Sequence, residues 1–350
     1  MEGKVSARIT GKDVAARAGV SKQTVSNVIH GNHAHVKPET RRKVLEALES
    51  LNYRPNVAAR YLRKGRVGII ALAIPDLVNP YYADLGNTIV ATAAAYGYTV
   101  LLDHTRFDRA NELQAFNGLR PHAIDGVILD PQALEMADLQ AQQAVVPVVL
   151  LGESLVGLPY DHVVIDNVAA ARRATAHLIE LGRRRIAVIG VDERKTTGAA
   201  VVRVQGYKAA LAEAGRAVDP HLLASCAEWH RQDGAQAMRR LLALDNPPDA
   251  VFCLNDLLAL GALSAIHEAG SRIPEDVAVV GFDDIEDGRF ATPPLTTIAP
   301  DKEEIGRRAV ELLIGRIDGT RTGPREKIEP PFCLRIRRST AGMMERSERM

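Results

Sequence analysis

The chain has 350 residues, 46% hydrophobic and 25% charged, a globular composition too long for one core, so two or three domains are expected. Its net charge of +1 conceals a split: residues 1–65 hold 13 Lys and Arg against 5 Asp and Glu, a balance of +8, and the remainder has 31 against 38, or −7. No apolar signal core precedes Thr10, runs such as Val67–Ile74 are too short to span a bilayer, and Cys226, Cys253 and Cys333 suggest neither disulfides nor zinc; a cytoplasmic protein without a membrane partner is expected.

Two helix signals lie back to back near the N-terminus. Thr10 with Asp13 three residues on has the form of a capping box, Val14, Ala15 and Ala18 make one apolar stripe, and Gly19 stops the helix. Val20 fills the corner, and Ser21 can cap a second helix whose Val25, Val28 and Ile29 face inward. Gln23, Ser26, Asn27 and His30 then share the opposite face. Such a pair forms a helix-turn-helix, whose second helix can enter the major groove. An ordinary helical hairpin has the same local pattern, but it leaves unexplained why the positive charge ends where the strands begin.

Pro38 starts a third helix, given an inward stripe by Val44, Leu45, Leu48 and Leu51, with Asn52 as a left-handed stop. The segment from Pro55 to Gly65 is shorter than the ~12 to 15 residues at which an isolated helix becomes marginal, so it is expected to order only against a partner copy and DNA. From Val67 onward short apolar strands alternate with amphipathic helices. Val67–Ile74, Tyr98–Asp103, Asp125–Leu129 and Val146–Leu151 read as buried strands, with helices at Tyr82–Ala95, Asn111–Leu119 and Ala133–Ala144. A second series runs through strands Val163–Ile165, Arg185–Ile189, Ala250–Leu254 and Val277–Phe282, with helices at Ala169–Leu181, Val204–Ala214, Ala235–Leu244 and Leu257–Ala269. The stretch Pro293–Ile298 and a helix Glu303–Leu313 are expected to cross back to the first lobe. Two doubly wound α/β units leave a cleft at the carboxyl ends of their strands, where ligands bind.

These residues resemble the lactose/galactose repressor family of bacterial transcription regulators over nearly the whole chain. The resemblance rests on Asp13-Val14-Ala15, Ala18-Gly19-Val20-Ser21 and Thr24-Val25-Ser26, then Tyr53-Arg54-Pro55-Asn56, Ile74-Pro75-Asp76 with Asn79-Pro80-Tyr81-Tyr82, Asp125-Gly126-Val127-Ile128, Asn255-Asp256, Gly281-Phe282-Asp283-Asp284 and Pro293-Pro294-Leu295-Thr296-Thr297. Each is weak alone; their order and spacing together are specific. The resemblance implies a helix-turn-helix domain at 1–54, a hinge at 55–65, a two-lobed periplasmic-binding-protein-like core of doubly wound parallel sheets at 66–340 for effector binding and dimerisation, and a tail at 341–350.

It also implies a homodimer on a palindromic double-stranded operator. Lys22, Gln23 and Asn27 sit where the family contacts base edges, Ser21, Thr24 and His30 lie nearer the phosphates, and Thr10, which opens the first helix, is a further expected DNA contact. Gln23 can both donate to and accept from adenine. In the hinge, Asn56, Ala59 and Leu62 match DNA-contacting positions, Leu62 as a minor-groove wedge that bends the duplex. Asn27 stands where most relatives carry Arg, so a different half-site is expected, and His30 replaces a usual Asn.

For the effector, the resemblance points to Tyr81, Tyr82 and Asp130 in the first lobe and Arg203, Trp229, Asn255 and Asp283 in the second. Arg203 and Asp283 would clamp hydroxyls and Trp229 would lie under a sugar ring, although a core aromatic or a surface charge would leave the same letters. Gly152 occupies a place where many sugar-binding relatives have Asp. A sugar is the expected effector, with a nucleobase or phosphorylated metabolite left open, and neither cofactor nor metal is expected. A transport-system binding protein would leave the basic N-terminus unexplained. An enzyme would need a Gly-x-Gly-x-x-Gly or Walker loop, neither of which follows the first strand, and His104, His122, His162 and His177 have no metal or triad spacing. The chain is therefore read as a regulator and not an enzyme.

Overall fold

The computed structural model describes residues 9–29, 36–52, 66–119, 123–140, 144–153, 155, 157, 159–192, 197–226 and 228–341. The chain divides into two units, Met1–Val67 and Gly68–Met350. His30 and residues 55–65, with the expected hinge positions Asn56, Ala59 and Leu62, lie outside the described residues.

In the first unit, α1 (Gly11–Ala18), α2 (Lys22–Ile29) and α3 (Pro38–Ser50) enclose a small core. Val14, Val25, Val28 and Val44 are buried there, each contributing about 1.5–3 kcal/mol relative to exposure. Pro38 takes the first turn of α3, where its missing N–H costs nothing. The stripe of α3 differs from expectation at one place: Leu45 is 47% exposed and Ala47 turns inward in its stead. Asn52 is left-handed, with φ 45°.

The second unit holds two sheets. One has the order β11-β5-β4-β3-β1-β2, built from β1 (Ile69–Ile74), β2 (Thr99–His104), β3 (Gly126–Leu129), β4 (Val148–Leu151), β5 (Asp161–Val163) and β11 (Lys327–Ile328). The other has the order β12-β10-β9-β8-β6-β7, built from β6 (Ile186–Val191), β7 (Leu223–Ser225), β8 (Ala250–Cys253), β9 (Ala278–Phe282), β10 (Thr296–Pro300) and β12 (Phe332–Arg335). All pairings are parallel except β10 with β12. The helices are α4 (Pro80–Ala95), α5 (Arg109–Phe116), α6 (Met136–Gln140), α7 (Asn167–Glu180), α8 (Ala199–Glu213), α9 (Arg231–Leu242), α10 (Asp256–Glu268), α11 (Glu286–Phe290) and α12 (Lys302–Asp318). Among the described residues no helix is long and apolar enough to cross a membrane.

Several expected boundaries move. The strand expected to open the second series is β5, and it belongs to the first sheet, where Leu151 pairs with Val163. Pro293–Ile298 does not cross between lobes; β10 lies beside β9, and the crossing comes after it. Then α12 delivers Ile305, Ala309, Val310 and Leu313 to the first lobe's core. Among the described residues the helix expected over Ala133–Ala144 starts only at Met136, as α6, because the N–H groups of Gln132, Ala133 and Leu134 turn onto the buried Glu112 carboxylate at 2.9–3.0 Å. Finally, β2 is not buried: it is an edge strand whose Leu101 and Leu102 are 45% and 50% exposed.

Candidate functional site

In the first unit, local chemistry fixes the two helices that would read DNA. Asp13 Oδ2 accepts from the Thr10 N–H at 2.7 Å and from its hydroxyl at 2.8 Å, which also lowers the Asp13 pKa. Thr10 is thus committed to the capping box, a device stabilising by about 1 kcal/mol. Gly19 adopts φ 67° and Val20 N–H returns to the Ala15 carbonyl at 3.0 Å, which sets the corner. The Ser21 hydroxyl accepts from Thr24 N–H at 3.1 Å and lies 2.9 Å from the Thr24 hydroxyl, so this pair builds the start of α2. Lys22 and Gln23 are exposed and Asn27 is half-buried on one face. Gln23 Nε2 donates to Asn27 Oδ1 at 3.1 Å, which leaves Gln23 Oε1 as an acceptor and Asn27 Nδ2 as a donor.

The second unit contains a cleft of about 530 Å³ lined by both lobes, and all seven expected effector residues line it. From the first lobe, Tyr82 donates its hydroxyl to Asp130 Oδ2 at 2.9 Å, and Tyr81 meets Tyr82 edge to face at 5.3 Å. Gln132 donates to the other Asp130 oxygen at 2.8 Å. Burial raises the pKa of Asp130 and pushes both tyrosines well above 10.

From the second lobe, Arg203 is nearly buried, its guanidinium stacked 3.5 Å over Phe282 and 5.6 Å from Trp229. Its Nε donates to Asn167 at 2.6 Å and its Nη1 donates to the Leu254 carbonyl. Asp283 follows the end of β9 with φ 115°, a backbone state rare for a non-glycine residue and found at functional sites. Desolvation lifts its pKa to about 6, opposed by Arg203 and Lys302. The preceding Gly281 is required, since a β-carbon there would sit 2.1 Å from Asp256 Oδ1. Asp256 is itself pinned by Thr297 at 2.6 Å and Ile285 N–H at 2.9 Å.

Two of the expected residues have structural duties as well. Asn255 caps α10 through Leu258 N–H at 2.8 Å and donates to the Trp229 carbonyl at 3.0 Å, which leaves its amide one N–H and one oxygen lone pair. Trp229 packs partly on the second lobe's core and donates its indole N–H to Gly190 at 3.0 Å, so it is both core aromatic and cleft wall.

Sequence reasoning missed Asp76, Gln132, Glu153 and His230, which also line the cleft. Glu153 accepts from Ile165 N–H at 3.2 Å, and burial raises its pKa to about 7 against the pull of Arg203. The signal was positional: Asp76, Asp130, Glu153, Asp192, Asn255 and Asp283 each stand one or two residues past the end of a strand.

Comparison with known proteins agrees with this architecture. Residues 10–56 match the family of bacterial regulatory proteins, lacI family, and residues 175–340 match the periplasmic binding protein-like domain. The transcriptional repressor PurR of Mannheimia succiniciproducens is 35% identical over 330 residues, 94% of this chain and 97% of that protein. The transcriptional repressor CytR of Escherichia coli is 36% identical over 315 residues, 90% and 91% of the two chains. Among solved structures, the regulator CelR in complex with cellobiose is 35% identical with a TM-score of 0.69, covering 95% of this chain and 100% of that one. The lac repressor dimer bound to operator and an anti-inducer is 29% identical with a TM-score of 0.80, covering 95% and 99%. With its helix-turn-helix head and two-lobed core, the chain belongs to the lacI family of bacterial regulatory proteins and is a DNA-binding transcriptional repressor.

Proposed function

We propose that this repressor binds a palindromic operator as a homodimer and that a small sugar held in the cleft controls its grip on DNA. The observation that carries the reading is the convergence of Tyr81, Tyr82 and Asp130 from one lobe with Arg203, Trp229 and Asp283 from the other on a single cleft. A ligand touching both lobes binds one interlobe angle better than another, and that difference shifts the equilibrium between DNA-binding states. Support for a sugar comes from the hydroxyl-seeking carboxylates, the flat Trp229 ring and the cellobiose held by CelR. Support for a dimer comes from the exposed apolar Val90, Tyr96, Leu101 and Leu102 around edge strand β2, and from the dimeric lac repressor.

In this reading residues 1–54 are the reading head, 55–65 the hinge with Asn56, Ala59 and Leu62 on DNA, and 66–340 the core. Gln23 and Asn27, already hydrogen-bonded to each other, meet base edges as an acceptor and a donor beside Lys22, while Ser21, Thr24 and His30 hold the DNA backbone. Selection of random duplex DNA by the purified chain, with and without cellobiose and other sugars, tests all parts together. A palindrome whose retention changes with one sugar is expected; a monomeric protein that enriches no sequence at low ionic strength overturns the reading. Asn27→Arg should alter base preference at one position of each half-site, and unchanged preference everywhere would remove Asn27 from the interface.

A further inference from the structure

The first lobe carries a carboxylate where the sequence pattern had suggested a gap. Gly152 has no side chain, and none fits: its φ is 71°, and a β-carbon there would sit 2.9 Å from Asp130 Oδ1. One residue on, Glu153 lines the cleft. Among the described residues, only Ile165 N–H is another residue's donor to its carboxylate, and no side chain donates to Asp283. Both groups therefore retain acceptor capacity that a ligand can satisfy.

The charge balance points the same way. The described lining contains six carboxylates against two guanidinium groups, Arg106 and Arg203. Of these, Arg203 already spends Nε on Asn167 and Nη1 on the Leu254 carbonyl. A ligand rich in O–H donors satisfies the carboxylates through charge-assisted hydrogen bonds, whereas a phosphate brings further negative charge into a lining where carboxylates outnumber guanidinium groups.

We propose that Glu153 sets the charge class of the effector: with Asp130 and Asp283 it admits an uncharged polyhydroxylated molecule and shuts out the phosphorylated counterpart. The proposal rests on the cleft being the effector site. Glu153 faces Asp130, Arg203 and Tyr81. Ligand hydroxyls favour its ionised form, so binding releases a proton and strengthens as pH rises from 6 to 8.

The test begins with the full chain and a mixture of ribose, cellobiose, other neutral sugars and nucleosides together with their phosphate esters. Retained compounds are identified by mass spectrometry after ultrafiltration. Enrichment of unphosphorylated members is expected. Calorimetry with the captured compound and its ester should then give at least 100-fold discrimination in the wild type. Glu153→Gln should lose about 10-fold affinity for the neutral compound, narrow the discrimination at least 10-fold and flatten the rise between pH 6 and 8, and Glu153→Asp should restore part of the slope. Operator retention by each variant reports that it is folded. Capture of a phosphate ester, or discrimination and slope left intact by a folded Glu153→Gln, overturns the proposal while leaving the cleft reading in place. Retention of nothing overturns the cleft reading and takes the proposal with it.

Discussion

The two lobes share a strand order yet prepare their halves of the cleft differently. In the second lobe the polar groups other than Asp283 are tied down before any ligand arrives: Arg203 to Asn167 and Leu254, Asn255 to Leu258 and Trp229, and Trp229 to Gly190. In the first lobe the Asp130 cluster is tied by two hydrogen bonds, and Glu153 takes one from another residue. A half-site whose donors are held by internal bonds supplies rigidity, and one with acceptors in hand supplies selectivity. The contrast predicts that removing a committed donor of the second lobe costs both stability and response, while damage in the first lobe mainly retunes response; Asp283, to which no described side chain donates, is the second lobe's exception.

The largest effect is expected from Arg203→Met. It leaves Asn167 Oδ1 and the Leu254 carbonyl without their donor and removes the stack on Phe282, so a loss of about 3 kcal/mol and at least 100-fold weaker effector response is expected in melting and DNA-release titrations. Intact stability with lost response would reverse the assignment of rigidity to the second lobe. Asp283→Asn comes next. The wild-type pKa of about 6 lies above the unfolded value near 3.8, so the ionisation penalty is absent below pH 4, grows through that window and is complete above pH 6. The variant should therefore gain on the order of 2 kcal/mol over wild type at pH 8 and little at pH 4, read as the difference in melting temperature.

A smaller change is expected from Gly152→Ala, about 1–2 kcal/mol, from the positive φ and the approach to Asp130, with roughly 10-fold weaker effector binding as Asp130 shifts. An effector affinity unmoved by this substitution would separate Asp130 from the ligand. Smallest is Tyr82→Phe, which removes one hydrogen bond to Asp130. About 1 kcal/mol and a few-fold loss of affinity are expected, with the apparent pKa of binding moved upward because Asp130 loses a bond that favours its ionised form.

Much of this architecture was legible because local rules decide it. The capping box of Thr10 and Asp13, the stop at Gly19 and the inward valines of α2 all follow from periodicity and end chemistry within a few residues. The errors arose where a distant element decides. Leu45 looks apolar enough to face inward, but a neighbouring alanine better fits a three-helix core. The Gln132–Leu134 segment could not be read as a turn without knowing that Glu112, some twenty residues earlier, would sit beneath it. The strands Lys327–Ile328 and Phe332–Arg335 are too short to leave a period, and β5 was assigned to the wrong sheet because a strand's pairing partner is not written in its own letters. In the cleft, resemblance points to seven lining residues but not to Glu153, because the family pattern marks the position before it, which is Gly152 here.

The return of the chain to the first lobe after β10 has a consequence for biogenesis. Helix α12 and strand β11 supply part of that lobe's interior and one sheet edge from sequence more than 130 residues beyond β5. A ribosome delivering the chain from its N-terminus completes the reading head early, but the lobe it starts next must wait, half-covered, until almost the last residues emerge. Nascent chains halted near residue 295 would therefore expose the apolar faces of β1, β3 and α4 to chaperones.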